Sequence, residues 1–468
     1  MGKSNKFADI FLSIPFAESP IGPNRFKEVG MKAPWKDTLH ALEDPPGCPQ
    51  ICELPPHTCP ENYSEDCLFL NVFTPLGASA SSTSKLPVLI YYHGGNYKQG
   101  YGGGPLYFGD RLAKQTGAIV VVPNYRLGAL GYFVAPELGI QGNMAVHDQR
   151  LAMEWVQQHI GSFGGNKNLV TILGQSAGAG SVATHLISKR SRGLFHRAWM
   201  FSNPFAIPFR SPASAPAQTK VFLNNTNCAD AACLRSLSVD VLIDAQAKTE
   251  VDANAMGGSM LQAFLPWTPY VDGEIVPGQP QQAFAQGLAA DVPTVMGVVH
   301  DEALIFIYQA FQEPMDSLTY GFFATMVFGW DRGMKVLNRF PALNGTNVDQ
   351  RPRLTEVGNQ FIFNCAVRNT TRGMLASGRK QPVYTYLYDH SLSFGKEAWG
   401  EKLIICADPD TTCHAAELPL FWNSAQDTYP YQPQEISFAG QLGQYLGNFA
   451  QTGNPSTGPV PPQPAQGA

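Results

Sequence analysis

The pentapeptide Gly174-Gln175-Ser176-Ala177-Gly178 stands between an apolar run at residues 168–173 and a helix-compatible stretch at residues 179–186. That order is strand, tight turn, helix. In a Gly-x-Ser-x-Gly elbow the serine occupies a strained backbone position, and the glycines two residues to either side let strand and helix pass without Cβ clashes. The serine hydroxyl is thereby presented at the top of a sheet, where a nucleophile belongs. A lone match of this pattern is often no more than a Gly/Ser-rich turn. Here strand and helix fall on the correct sides of it, and the nucleophile reading is preferred.

Such an elbow needs a sheet around it, and the flanking sequence supplies one. Residues 86–93 are a near-continuous apolar run of the kind buried on both faces of a sheet, and residues 118–123 are a second. An amphipathic segment at 148–160 provides the helix before the elbow strand, and residues 292–299 and 383–389 read as later strands. Strands alternating with helices at this spacing imply an α/β fold with a mostly parallel sheet covered on both faces. A chain of 468 residues, 44% apolar and 15% charged, can build one large or two modest domains. We read one domain over 1–454, followed by a Pro/Gly-rich tail at 455–468 expected to be disordered. The formal net charge of −5, without basic clusters, argues against nucleic acid or an anionic membrane surface as the main partner. No apolar run reaches the about 18–20 residues of a membrane span, so no transmembrane segment is expected.

Prolines at 15, 20 and 23 exclude a helix over residues 14–26, which should lie extended over the surface. Alternating apolar residues at 64–73 suggest a strand, with Arg25 and Glu65 as an ion pair rather than catalytic groups. Residues 77–85 are small and polar and read as a surface loop. The chain has nine cysteines, and several are separated by short loops: Cys48, Cys52, Cys59 and Cys67 together, Cys228 with Cys233, and Cys406 with Cys413. Zinc is the rival reading, but the first four lack paired C-x-x-C knuckles. Asn-x-Ser/Thr sequons begin at Asn62, Asn224, Asn344 and Asn369. Disulfides and sequons together favour a secreted or lumenal protein. The first residues, Met1-Gly2-Lys3-Ser4-Asn5-Lys6, do not read as a secretory signal.

Acyl transfer at a serine needs an oxyanion hole, a base and an acid. A glycine turn after a central strand can aim backbone N–H groups at the developing negative charge, and His93-Gly94-Gly95-Asn96 follows the 86–93 run. Gly95 and Asn96, with Ala177 after the nucleophile, are the candidate donors. Acid and base follow the serine in the order Ser, Asp/Glu, His. Asp301 and Glu302 both stand at the end of the 292–299 strand, where active-site loops of open α/β sheets gather, and composition does not separate them. Two histidines follow Glu302: His390, at the end of the 383–389 strand where simple topology would put the base, and His414.

The chain resembles the type-B carboxylesterase/cholinesterase family of α/β-hydrolases. The matching stretches are 14–26, 64–71, 93–97, 124–131, 142–155, 163–182, 297–302 and 414–421, in family order across nearly the whole chain. The resemblance implies an α/β-hydrolase fold with a central mostly parallel sheet, flanking helices, and helical insertions forming a gorge-like active site. It selects Glu302 over Asp301 and His414 over His390. The implied catalytic set is Ser176, Glu302 and His414, working through an acyl-enzyme with no metal and no cofactor. It also pairs Cys48 with Cys67 and Cys228 with Cys233, and makes Arg126 with Asp148 an internal ion pair. Cys52 with Cys59 and Cys406 with Cys413 are pairings from proximity, which leaves Cys365 as a free thiol of the kind that behaves as a small buried hydrophobe.

Departures from the family pattern refine the expectation. Asn96 replaces the third glycine of the oxyanion turn, yet keeps its N–H and tolerates left-handed backbone. Gln175 replaces the frequent glutamate before the serine. His57 stands where cholinesterases carry a tryptophan that stacks on choline, so no cation–π site is evident there and acetylcholine ranks low as a substrate. The strand pair that usually precedes residues 14–15 is expected to be missing. Phe264, Phe306, Phe322 and Phe323, with Trp267, suit either an apolar gorge or the core. The function implied is hydrolysis of a small-molecule or lipid-like carboxylic ester. The alternative is a cholinesterase-like adhesion or binding protein, but such relatives typically lose a member of the triad.

Overall fold

A computed structural model describes residues 1–82, 84–257 and 260–457. The apolar runs become strands of one sheet: β1 (Lys3–Ser4), β2 (Ala8–Pro15), β3 (Phe69–Pro75), β4 (Leu86–Tyr92), β5 (Ile119–Pro123), β6 (Gly165–Gln175), β7 (Arg197–Phe201), β8 (Thr294–Val299) and β9 (Val383–Tyr388). Their order is β1-β2-β3-β5-β4-β6-β7-β8-β9. The pairs from β1 to β3 and between β3 and β5 are antiparallel, and every pair from β5 through β9 is parallel. This is the mostly parallel α/β sheet read from the sequence. β7, Arg197-Ala198-Trp199-Met200-Phe201, escaped that reading because five residues with one charge give little periodicity.

The sheet is buried on both faces, and period-two alternation divides its side chains. Val88, Ile90 and Tyr92 of β4 join Ile172 of β6, the helix Met144–His159 and the elbow helix Ala177–Ile187 in one apolar cluster. Leu89 and Tyr91 point the other way, into a cluster with Leu112 and with Leu446 and Phe449 of the helix Pro433–Thr452. At roughly 1.5–3 kcal/mol for each fully buried large apolar side chain, these two layers dominate the stability of the fold. The connections after β7 and after β8 carry helical insertions, and a third cluster around Ala303, Ile307, Tyr320, Leu354 and Val357 packs the second of them.

Several expectations need correction. The edge strand pair is present in short form, because β1 pairs antiparallel with β2 and β2 ends at Pro15. Residues 14–26 do not merely lie over the surface: Phe16, Ala17, Arg25 and Phe26 are buried. Proline forbids the helix there, but the apolar residues between the prolines still have to leave water. At 64–73 the strand begins only at Phe69. The helix expected at 148–160 starts earlier, at Met144, after Asn143 in the left-handed region. Cys365 is exposed rather than buried, since it opens a helix on the outer side of a π-turn at Asn359–Asn364. Of the expected tail, Pro455 accepts a hydrogen bond from Asn448, and residues 458–468 lie outside the described residues.

The cysteine pairings hold in all cases, with bridges Cys48–Cys67, Cys52–Cys59, Cys228–Cys233 and Cys406–Cys413. Arg25 and Glu65 form the expected pair at 2.5 Å, and Arg126 meets Asp148 at 2.7 and 2.8 Å with both side chains buried.

Candidate active site

β4 and β6 are parallel neighbours with Tyr92 opposite Gly174, so the turn after β4 and the elbow after β6 open at the same end of the sheet. Two glycines make the elbow sterically feasible. A Cβ on Gly174 would lie 2.3 Å from the Gly178 carbonyl, and one on Gly178 would lie 2.0 Å from the Tyr92 carbonyl oxygen. Between them Ser176 has φ 57° and ψ −119°, the strained conformation the elbow predicts for its nucleophile. Its N–H donates to Phe201 O at 2.9 Å, and its own carbonyl accepts from Gly180 at 3.0 Å. The first bond ties the turn to β7, and the second is the first turn of the elbow helix.

The turn after β4 runs through three successive residues of positive φ: Gly95 (109°), Asn96 (56°) and Tyr97 (60°). A Cβ on Gly95 would strike Gln99 O at 2.2 Å, so this position admits only glycine. The Gly95 carbonyl is tied down by the Lys98 and Gln99 N–H groups at 3.0 Å each. The N–H groups of Gly95, Asn96 and Ala177 donate to no acceptor among the described residues. Ala177 opens the elbow helix, where the N–H is free of an intrahelical partner and the helix dipole favours negative charge. His93 beneath this turn stacks on Tyr125 with ring centroids 4.4 Å apart, and burial lowers it to about 4, so it is a neutral packing residue.

Asp301 and Glu302 follow β8 and separate cleanly. Glu302 is fully buried; one carboxylate oxygen accepts from Val299 N at 2.9 Å and the other lies 2.5 Å from His414 Nδ1. Asp301 instead accepts from Thr412 N at 2.9 Å while its own N–H donates to Thr412 O, stitching the histidine loop to the end of β8. Cys413 in that loop is bridged to Cys406, and Ala415 has φ 77°. His390 is elsewhere: it lies against Phe438 with its Nε2 3.4 Å from Glu435.

The imidazole of His414 sits against Phe306 and Phe363, with centroids 5.0 and 5.3 Å away. Those two rings also line a cavity with Ser176, Asn96, Ala303, Phe264 and Ile362, which places serine and histidine around shared walls. His414 Nε2, however, faces Gln175 Nε2 at 3.0 Å, and no hydrogen bond joins it to Ser176 Oγ. The aromatic candidates divide accordingly. Phe264 and Phe306 line this cavity, Trp267 is core with its indole N–H on Glu250 at 2.9 Å, Phe323 packs on the cluster around Ile307, and Phe322 is exposed.

A second cavity opens on the other side of Gly94 and Gly95, reaching Gln175, Ala415 and Leu418. Its walls include Leu54, Pro55, His57, Tyr107, Trp399 and Tyr429, with no carboxylate and no lysine or arginine. Near it lies a residue that sequence reasoning passed over. Glu417 is buried, accepts from Ser202 Oγ at 3.5 Å, and leaves Oε2 without a partner. Burial, reinforced by the charge of Glu302, raises it to about 8, so it is held as the neutral acid. The available signal was a carboxylate three residues after His414 in the otherwise apolar run Glu417-Leu418-Pro419-Leu420. Among the described residues no three His, Cys, Asp or Glu side chains gather into a metal site, and no helix is long and apolar enough to cross a membrane.

Comparison with known proteins agrees with this architecture. A family model described as the Carboxylesterase family matches residues 1–466. The cAMP-regulated D2 protein of Dictyostelium discoideum is 38% identical over 96% of the chain and 81% of that protein. An acetylcholinesterase of Bungarus fasciatus is 30% identical over 95% of the chain and 75% of that protein. Among solved structures, a PNB esterase superposes with a TM-score of 0.80 at 26% identity, covering 98% of this chain and 90% of the other.

Proposed function

We infer that this chain, which belongs to the carboxylesterase family, is a serine-dependent hydrolase of carboxylic esters with Ser176 as nucleophile, His414 as base and Glu302 as its orienting acid. The observation that carries the reading is the buried Glu302–His414 pair at 2.5 Å beside a serine held at positive φ under three undonated N–H groups. With Glu302 accepting the Nδ1 proton, Nε2 is the basic nitrogen. Ser176 Oγ attacks the ester carbonyl and its proton passes to Nε2. The carbonyl oxygen becomes an oxyanion held by the N–H groups of Gly95, Asn96 and Ala177, each worth a few kcal/mol. His414 then protonates the departing alkoxide, and water repeats the sequence on the acyl-enzyme.

The cavity containing Ser176 is walled by Phe264, Leu265, Phe306, Ile307, Ile362 and Phe363, which suits an apolar acyl group. The second cavity adjoins His414 through Ala415 and suits an uncharged alcohol. The same reading makes the protein secreted and glycosylated. It is supported by the bridged cysteines and by Asn62, Asn224, Asn344 and Asn369, all of them exposed.

Hydrolysis of p-nitrophenyl esters from acetate to laurate by the wild type and by Ser176→Ala tests the reading. The expected outcome is loss of hydrolysis by a factor of about 10³ or more in the variant, with the preferred chain length measuring the acyl cavity. A folded wild type without activity on any member would favour a binding protein of the same fold.

A further inference from the structure

We propose that Glu250 is a positioning residue for the oxyanion turn: through Lys98 on one side and Gln246 on the other, it holds residues 95–97 in the left-handed shape that aims the Gly95 and Asn96 N–H groups at the ester oxygen. The proposal rests on the esterase reading above.

The turn has to be held by something outside itself. Gly95 takes its φ of 109° readily, but Asn96 and Tyr97 follow at 56° and 60°, where a Cβ crowds the backbone and a non-glycine residue is disfavoured. The bonds from the Lys98 and Gln99 N–H groups to Gly95 O close the turn on itself and do not tie it to its surroundings. The tie is made by the helix Val239–Val251, which lies in the insertion after β7.

Lys98 Nζ donates to Glu250 Oε2 at 2.6 Å, with 25% and 11% of the two side chains exposed. The other carboxylate oxygen, Oε1, accepts from Trp267 Nε1 at 2.9 Å and from Gln246 Nε2 at 3.0 Å. Gln246 Oε1 in turn accepts from Ala129 N at 2.8 Å and fills the space beside Gly128, where a Cβ would lie 1.9 Å from it. Gly128 N then donates to Tyr97 O at 2.8 Å. The path leaves the turn at Lys98 and returns to it at Tyr97, the preceding residue. Such a ring fixes both sides of the Tyr97–Lys98 peptide against one helix. Trp267 behind the carboxylate is fully buried, so the turn and not the helix yields when the ring is cut. Asn96 and Tyr97 then relax out of the left-handed region in a fraction of the molecules, and in that fraction the N–H groups are misaimed. Ground-state binding rests on the apolar walls of the cavity, so the loss falls on kcat.

The test measures hydrolysis of p-nitrophenyl butanoate by the wild type, Lys98→Met, Glu250→Gln and the double variant, with rates counted per fluorophosphonate-reactive serine so that unfolded protein drops out. Each single variant should lose about tenfold in kcat, with KM within about twofold, and the double variant should lose no more, because both changes cut the same pair. Lys98→Arg, which keeps the cation, should restore most of the rate. Lys248→Met removes a cation that pairs with Asp244 on the exposed face of the same helix, and its kcat should equal that of wild type. The Ki of a trifluoromethyl ketone, whose adduct oxygen occupies the hole, should rise in step with the loss of kcat. Unchanged kcat in the single variants, a rise in KM without a fall in kcat, or losses that multiply in the double variant would overturn the proposal. A second readout needs no turnover: amide exchange at Gln99, whose N–H closes the turn on Gly95 O, should speed up about tenfold in Glu250→Gln and not in Lys248→Met. Unchanged exchange in Glu250→Gln also overturns it. A wild type inert to esters and to a fluorophosphonate sinks the esterase reading, whereas faster exchange in Glu250→Gln of that same protein upholds the clamp on the turn.

Discussion

Asp301 and Glu302 have the same chemistry, adjacent positions and different work. Glu302 reaches His414 Nδ1, whereas Asp301 turns to the backbone of Thr412. Replacing Glu302 by glutamine keeps the shape but offers an amide N–H where the imidazole needs an acceptor, favouring the wrong tautomer. Glu302→Gln should lower kcat by about 10³- to 10⁴-fold, with KM little changed, and steady-state kinetics on a p-nitrophenyl ester will show it. Asp301→Asn retains one acceptor oxygen for Thr412 and should cost far less. Equal losses in the two variants would mean that the carboxylate roles have been misassigned. At the same scale the Gln175 amide stands 3.0 Å from the outer ring nitrogen of His414.

Among elements, the elbow and the histidine loop are held by different means. The elbow is locked by steric fit between β6, the helix Ala177–Ile187 and the end of β4, with no room for a Cβ at Gly174 or Gly178. The histidine loop has no regular structure to lean on; the short bridge at Asp301–Cys413, the disulfide Cys406–Cys413 and the left-handed Ala415 position His414 instead. Closing a loop of sequence separation 7 limits the unfolded chain by about 2 kcal/mol. The Cys406→Ser/Cys413→Ser protein should lose about that much stability in urea unfolding. Its kcat should fall, because the loop carries the proposed base, and its KM should rise as well, because Ala415 and Leu418 of the same loop line the second cavity. An unchanged kcat would show that Asp301 alone suffices to hold the loop.

At the scale of the molecule, burial of ionisable groups sets the pH range of stability. His93 and His185 are buried and lowered to about 4 and about 3 by desolvation. Below the ordinary histidine value of 6.5 the unfolded chain takes up protons that the folded protein refuses. Stability therefore falls as pH drops from about 6.5 towards 4, by roughly 3 kcal/mol for His93 alone. Glu417 works in the opposite direction. Its folded value near 8 lies above the ordinary 4.5, so the unfolded chain releases its proton first and stability falls as pH rises between those values. Glu417→Gln, which mimics the neutral acid, should melt close to wild type at pH 5 and several degrees above it at pH 8. Parallel melting curves at both pH values would show that Glu417 is charged in the fold.

Much of this protein was legible because its signals are local. The runs at 86–93, 118–123 and 168–173 became β4, β5 and β6, the elbow serine has the positive φ its flanking glycines foretold, and every cysteine pairing formed as spacing or resemblance suggested. Local sterics and period-two burial are written within a few residues of each other, so one chain suffices to read them. β7 was too short to announce itself, and the burial of Phe16 and Phe26 depends on what lies over them. From residue patterns alone Asp301 equalled Glu302, and strand topology pointed to His390; the family resemblance favoured Glu302 and His414, and folding brought those two together while sending His390 to Glu435. The Gln175–His414 contact spans 239 residues, and the neutral acid at Glu417 arises from a buried setting shared with Glu302. Distances and dielectric surroundings of this kind belong to the packed molecule, because they are set by groups far apart along the chain.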